Sequence, residues 1–182
     1  MRYFLTKSVP PFSRVLLVES GSRDLFEELL SGLYNLHPNM KADLITCYTG
    51  VPKNFRSDLG EVYRVTDYPD SGSRKQLYKQ LAANRYVIVG IICSAEPIMT
   101  KWKWMLAARL SGKIFVLNEN GDYFWLDRGH LGSIRHFVLF RAGLTGTGAV
   151  RAVARLVLFP FTLLYLILYA ATVHLRRKLR TL

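Results

Sequence analysis

Three polar stretches of this chain carry side chains able to bind anions or move protons, and each directly follows a short apolar run. The first is Ser20-Gly21-Ser22-Arg23-Asp24, behind Val15-Leu16-Leu17-Val18. Backbone amides gathered there at the start of a helix suit a phosphate or another anion, and Arg23 adds positive charge. A plain strand-to-helix turn with Asp24 as the capping residue fits the same stretch. The second stretch holds Glu96, behind Tyr86 to Cys93, and the third holds Glu119 and Asp122, behind Ile114 to Leu117. Carboxylates at neighbouring strand ends can serve as a general base or accept hydrogen bonds from sugar hydroxyls. Asn118, Asn120, Gly121 and Asp122 are also ordinary turn formers. The first loop lacks the spacing of a G-x-G-x-x-G dinucleotide fingerprint, so no nicotinamide or flavin cofactor is expected.

The elements that must hold these loops alternate in type. Arg14–Glu19, Ala42–Tyr48 and Tyr86–Cys93 are short runs rich in aliphatic residues, as buried strands are, and Lys113–Leu117 is another. Gly60–Thr66 alternates and reads as a further strand. Between Asp24 and Leu36 the apolar positions Leu25, Phe26, Leu29, Leu30, Leu33 and Leu36 recur at helical spacing, and Pro38 stops the run. Ser73–Arg85 and Thr100–Leu110 read as two more helices. The order predicts an α/β domain over residues 1–130, a mostly parallel Rossmann-like sheet with helices on both faces. Ligands of such sheets bind outside the carboxyl ends of the strands, where all three polar stretches fall.

Charge divides the chain. Residues 1–127 hold sixteen Lys/Arg against thirteen Asp/Glu, whereas the 55 residues after Asp127 hold nine Lys/Arg and no acid. Residues 131–148 read as a basic amphipathic segment and a Gly/Thr linker. Residues 149–182 follow as a membrane-anchoring helix with basic ends. Twenty uncharged residues separate Arg155 from Arg176, enough for a helix of about 30 Å, the thickness of a bilayer's hydrocarbon core. Phe159, Phe161, Tyr165 and Tyr169 make it aromatic, and Pro160 is expected near its start. Arg176, Arg177 and Lys178 follow it. Positive charge at both ends leaves a single span and a re-entrant or interfacial helix both open. Anionic headgroups are the expected partners of these ends. Lys101-Trp102-Lys103-Trp104 combines ammonium and indole groups suited to a second membrane contact, although an indole at that spacing can also pack on the sheet.

These features exclude other classes. Lys7, Pro10, Pro11 and Arg14 interrupt the N-terminal stretch before any secretory apolar region forms. The bulk of the chain is therefore expected in the cytoplasm, on the inner face of the cytoplasmic membrane. Cys47 and Cys93 are too few for a disulfide framework, and the four histidines show no ligand spacing, so no metal site is expected. The sequence pI of about 10 would suit nucleic acid, but the excess charge lies around the apolar tail, so nucleic acid is not expected as a partner.

The segments RVLLVESGSRDLFEELLSGLYNLHP, KADLITCY, GEVYRVTDY, LYKQLAANRYVIVGI and WMLAARLSGKIFV together resemble the N-terminal, acceptor-side half of a GT-B glycosyltransferase of the heptosyltransferase-like kind. The resemblance covers somewhat more than half of the chain. It implies that the first loop supplies a catalytic base, with Asp24 in that place and Glu19 as the other candidate. It also implies that the nucleotide-sugar donor is held by a second Rossmann-like half. Here the apolar tail stands where that half would follow, so a separate donor-binding subunit is expected. The other expectation is a non-catalytic membrane adaptor.

Overall fold

The computed structural model describes residues 3–94, 96–145 and 147–180. It divides into two units, Met1–Leu131 and Gly132–Leu182. The first unit is built on one sheet of six strands: β1 (Arg14–Glu19), β2 (Lys41–Thr46), β3 (Val62–Arg64), β4 (Ile88–Cys93), β5 (Lys113–Asn118) and β6 (Tyr123–Trp125). Their spatial order is β3-β2-β1-β4-β5-β6. The first five run parallel, and β6 returns antiparallel to β5. Nearly every residue of β1, β2, β4 and β5 is buried, as strands covered on both faces must be.

Three helices do the covering: α1 (Arg23–Leu36), α2 (Ser71–Ala83) and α3 (Thr100–Arg109). Phe26, Leu30 and Leu33 of α1 pack with Val15, Leu17, Leu44 and Phe115 in one cluster. On the other side, α2 buries Leu77 and Leu81, and α3 buries Leu106 and Ala107. The handedness of the crossovers accounts for the division. The chain moves one way across the sheet from β1 to β2 and the opposite way from β3 to β4 and on to β5, and right-handed connections then fall on opposite faces. Gly90 makes room inside the α1 face, since a Cβ there would stand 2.4 Å from the Phe115 ring.

Several boundaries differ from the sequence expectation. α2 starts at Ser71, not Ser73, because the Asp70 carboxylate accepts from the amides of Gly72 and Ser73 at 2.7 and 3.0 Å. β3 keeps only three paired residues at the sheet edge, and Val65–Asp67 turns as 3-10 helix. β6 is an addition. Asn118 Oδ1 accepts from the Asn120 and Asp122 amides at 3.0 and 2.9 Å, and Gly121 takes a φ of +80°. That turn sends the chain back along β5. Trp125 then faces inward, edge-on to Phe12 and Phe115.

A buried ion pair ties the N-terminal segment to this edge. Lys113 Nζ lies 2.8 Å from Asp127 Oδ2, with both side chains out of solvent. The same ammonium donates to the carbonyls of Thr6 and Ser8 at 2.9 and 3.0 Å and sits 5.5 Å from the Trp125 ring centre. Asp127 Oδ1 accepts from the Gly129 amide at 2.8 Å and lies 2.8 Å from His130 Nδ1. Both charges are thus surrounded by partners, the condition under which a buried pair is tolerated.

The second unit holds α4 (Leu131–Arg141), apart from its first residue, and α5 (Thr147–Arg180). Gly146, in the expected linker, lies outside the described residues. Within α5 the stretch Val153–His174 is long and apolar enough to cross a membrane, and none of it is buried against the protein. Its 22 residues reach about 33 Å. Phe159, Phe161, Tyr165 and Tyr169 are all exposed, and Tyr165 stacks on Tyr169 with ring centres 6.3 Å apart. Because the helix begins at Thr147, Pro160 is interior to it and not near its start. Thr162 and Thr172 return their hydroxyls to the carbonyls of Leu158 and Tyr169, which keeps those groups bonded without water. Arg155 and Arg176 lie on α5, exposed. The side chains of Arg177 and Lys178 lie outside the described residues.

The buried pair makes a prediction for acid stability. Burial opposes ionisation of Asp127, but Lys113 and His130 outweigh it and push its pKa down to about 2 from the ordinary 3.8. A depressed folded-state pKa stabilises above the unfolded value and is lost as the pH falls from about 4 through 2. Lys113→Met leaves the buried carboxylate without its ammonium and is expected to cost about 3–5 kcal/mol in a neutral-pH denaturant titration. Asp127→Asn is expected to flatten the stability change between pH 4 and 2 in the same measurement.

Candidate functional site

The strand order reverses direction between β1 and β4, which both leave the sheet centre at their carboxyl ends. In an open α/β sheet this switch point opens a crevice, because the following helices depart to opposite faces. The first polar loop and the Glu96 loop both start here.

The loop after β1 folds tightly over the end of β4. Ser20 is buried, and its Oγ donates to the Ile92 carbonyl at 2.6 Å. Gly21 follows against Ile92 and Ser94, where a Cβ would stand 2.3 Å from Ile92 Cγ2 and 3.0 Å from Ser94 Oγ. Only glycine lets the backbone approach this closely. Ser22 is the N-cap of α1, its Oγ accepting from the Leu25 amide at 3.4 Å. Asp24, expected as the cap, instead lies in the first turn with its side chain exposed. Ser22 takes the position because it is the residue with extended backbone, φ −62° and ψ 143°, before the helix begins.

Arg23 does not stand free to meet an anion. Its Nε and Nη2 donate to the two oxygens of Glu19 at 2.8 and 3.2 Å, and Nη2 also donates to the Gly50 carbonyl at 3.0 Å. Its guanidinium stacks over Tyr48, 4.8 Å from the ring centre, and the bonded Glu19 carboxylate raises its pKa. Glu19 itself is fully buried. Tyr48 closes the ring by donating to the Gly21 carbonyl at 3.1 Å. Burial pushes the Tyr48 phenol up, as do Cys47 and the negative charges of Glu19 and Glu96. Burial also raises the neighbouring Cys47 thiol. The structure therefore gathers Glu19, Arg23, Cys47, Tyr48 and Glu96 about one crevice.

Lys103 completes it from the α3 side. Its side chain is buried, and Nζ lies 3.5 Å from the same Ile92 carbonyl that accepts from Ser20. The Lys-Trp-Lys-Trp motif is thus divided by the helix: Lys103 turns inward, Trp102 is half-buried, and Lys101 and Trp104 are exposed. Sequence reading missed Lys103 as a site residue, and its signal was available, since position 103 shares a helix face with Leu106 and Ala107. Tyr48 was also missed; an aromatic just beyond β2 gives no sign that it will stack on Arg23. Met99, before α3, has a φ of +50° and caps no amide with its side chain.

Glu96 is exposed on the loop at the crevice rim. Glu119 and Asp122 belong to the β5–β6 hairpin, where Asp122 accepts from Asn118 Nδ2 at 3.3 Å and its amide bonds back to Asn118. The turn accounts for Asp122. Glu96 and Asp24 are both exposed, and Ser94 Oγ is buried without a hydrogen-bond partner. Among the described residues no cluster of His, Cys, Asp or Glu could hold a metal ion.

No protein-family model, no curated protein and no solved structure matches the chain.

The Glu19–Arg23 pair is predicted to hold the loop shut. Arg23→Met strands a buried carboxylate and is expected to lower stability by roughly 2–3 kcal/mol, less than a fully enclosed pair because part of Arg23 meets solvent. The double variant Glu19→Gln with Arg23→Met is expected to recover most of that loss, measured as a thermal midpoint.

Proposed function

We propose that this chain is a membrane-anchored, glycosyltransferase-like subunit. It holds an acceptor at the β1–β4 crevice on the cytoplasmic face of the inner membrane, in glycan or glycolipid synthesis. The observation that carries the reading is the pairing, in one chain, of a sheet with a β1–β4 switch point and an exposed helix long and apolar enough to cross a membrane. Such a helix brings the crevice to lipid-linked substrates, and its basic flanks suit anionic headgroups. Among the described residues the chain continues after β6 into α4 and α5, and in this reading a donor-binding partner supplies the nucleotide-sugar site.

In this reading the exposed Glu96 or Asp24 withdraws the proton of the acceptor hydroxyl as its oxygen attacks the anomeric carbon of the sugar, and the bond from that carbon to the donor's nucleotide phosphate breaks, the phosphate leaving with the bonding pair. Ser94 Oγ and the Lys103 ammonium lie deeper, on the side where a developing or resident negative charge would be met. Glu19 is not the base, because both of its oxygens are engaged by Arg23.

A second reading, a non-catalytic membrane adaptor, draws on the same closed pair: the Glu19–Arg23 contact leaves less of the first loop open to a ligand. Detergent extracts of cells producing the full chain separate the two. The first reading expects a nucleotide-sugar-binding protein to co-purify and the complex to transfer labelled sugar to lipid. It also expects Asp24→Asn with Glu96→Gln to lower that transfer by about 10²-fold or more. Undiminished cellular function in the folded, membrane-bound double variant, with no transferase recovered, establishes the adaptor instead.

A further inference from the structure

The outer surface made by α2 and α3 has a charge that the crevice does not use. These two helices carry Arg74, Lys75, Lys79, Lys101, Lys103 and Arg109, and no Asp or Glu. By contrast α1, on the other face of the sheet, carries Asp24, Glu27 and Glu28. Lys103 is buried, but the other five basic side chains are exposed. Among the described residues no carboxylate forms an ion pair with any of those five.

The patch is shaped as well as charged. A cavity of 260 Å³ lies between the two helices, lined by Arg74, Lys75, Tyr78, Lys101, Trp102 and Arg109 among others. Tyr78 and Trp102 meet with ring centres 5.6 Å apart, and the Arg109 guanidinium lies 4.4 Å from the Tyr78 ring centre. The second contact holds the Arg109 guanidinium at the cleft. Beside it Trp104 and Met105 are 42% and 38% exposed, a projecting indole and thioether next to Lys101.

We propose that this α2–α3 surface docks on the anionic headgroups of the bilayer that holds α5. Exposed cations on two helices that carry no Asp or Glu attract a negative surface, and an exposed Trp beside them is the side chain that prefers the headgroup boundary. Covalent attachment to α5 keeps the headgroups at high local concentration, so a weak surface suffices. The inference rests on the membrane attachment proposed above and not on glycosyl transfer. A nucleic acid would meet the same cations, but it accounts less well for Trp104 and Met105 projecting from the patch together.

The full chain reconstituted into lipid nanodiscs tests this. Discs of phosphatidylcholine are compared with discs containing phosphatidylserine, each with brominated lipid to quench tryptophan emission. Expected is additional quenching in the anionic discs only, abolished by Trp104→Phe, by the triple change Lys75→Glu, Lys79→Glu, Lys101→Glu, and by high salt. Equal quenching in both discs overturns the surface while leaving the anchor intact. Failure of the chain to enter neutral discs overturns the anchor, and the surface proposal with it. An oligonucleotide that shifts Trp104 emission in neutral discs, where phosphatidylserine does not in anionic ones, overturns it in favour of nucleic acid.

Discussion

β1 and β4 meet where only a glycine fits: a Cβ on Gly21 would stand 2.3 Å from Ile92 Cγ2, and Ser20 is bonded to the Ile92 carbonyl at 2.6 Å. This close approach decides what lies around it. It fixes the end of β1 against the end of β4, so α1 leaves toward one face while the loop to α3 leaves toward the other. It places Ser94 over Gly21 and brings Lys103 of α3 to the same carbonyl. The crevice is therefore a consequence of one packing constraint, and its polar groups are those that the constraint leaves within reach.

Around that centre, charge is handled in two ways. Inside, each buried carboxylate has a dedicated cation or donor set: Glu19 with Arg23, Asp127 with Lys113 and His130, and Asp43 with Arg14, the Tyr86 hydroxyl and the Glu61 amide. Burial together with the hydrogen bond to Asp43 holds the Tyr86 phenol protonated. Such pairs add little net stability but penalise any arrangement that separates them, so they specify register where apolar packing alone is permissive. Outside, on α2 and α3, cations stand without acids. A folded domain gains nothing from that asymmetry, since like charges on one face repel. The two patterns in one unit set the interior's ion pairs apart from the surface's surplus.

The apolar helix shows the same separation of roles on a larger scale. None of its apolar window is buried, and its threonines return their hydroxyls to the helix backbone without solvent. Pro160 in its interior removes one amide from a helix that continues on both sides. In water an exposed helix of this composition would be unfavourable; in hydrocarbon a helix is favoured because its backbone groups bond within the segment.

Local chemistry was legible in the residues themselves. Aliphatic runs marked the central strands, helical spacing marked α1, and the acid-free tail marked the membrane-competent helix, because these signals depend on neighbours along the chain. The pattern also placed three polar stretches at strand ends. What it left open was which of them meet. Asp24 read as a cap because it is a good capping residue, but Ser22 has the extended backbone that a cap requires. Arg23 read as an anion ligand, and the fold gives it to Glu19 four residues earlier. Lys103 read as part of a Lys-Trp-Lys-Trp stretch suited to a membrane contact or, through an indole, to packing on the sheet, and helix rotation buries the lysine under the switch point. The short returning strand β6 escaped notice because three residues hold too little periodicity to show. The sequence alone determined the alternation of strands and helices and the division of charge, since both are sums over local choices. The tertiary structure decided the strand order, the occupants of the crevice and the partner of each charge, because contacts between residues distant in sequence depend on how the whole sheet is ordered.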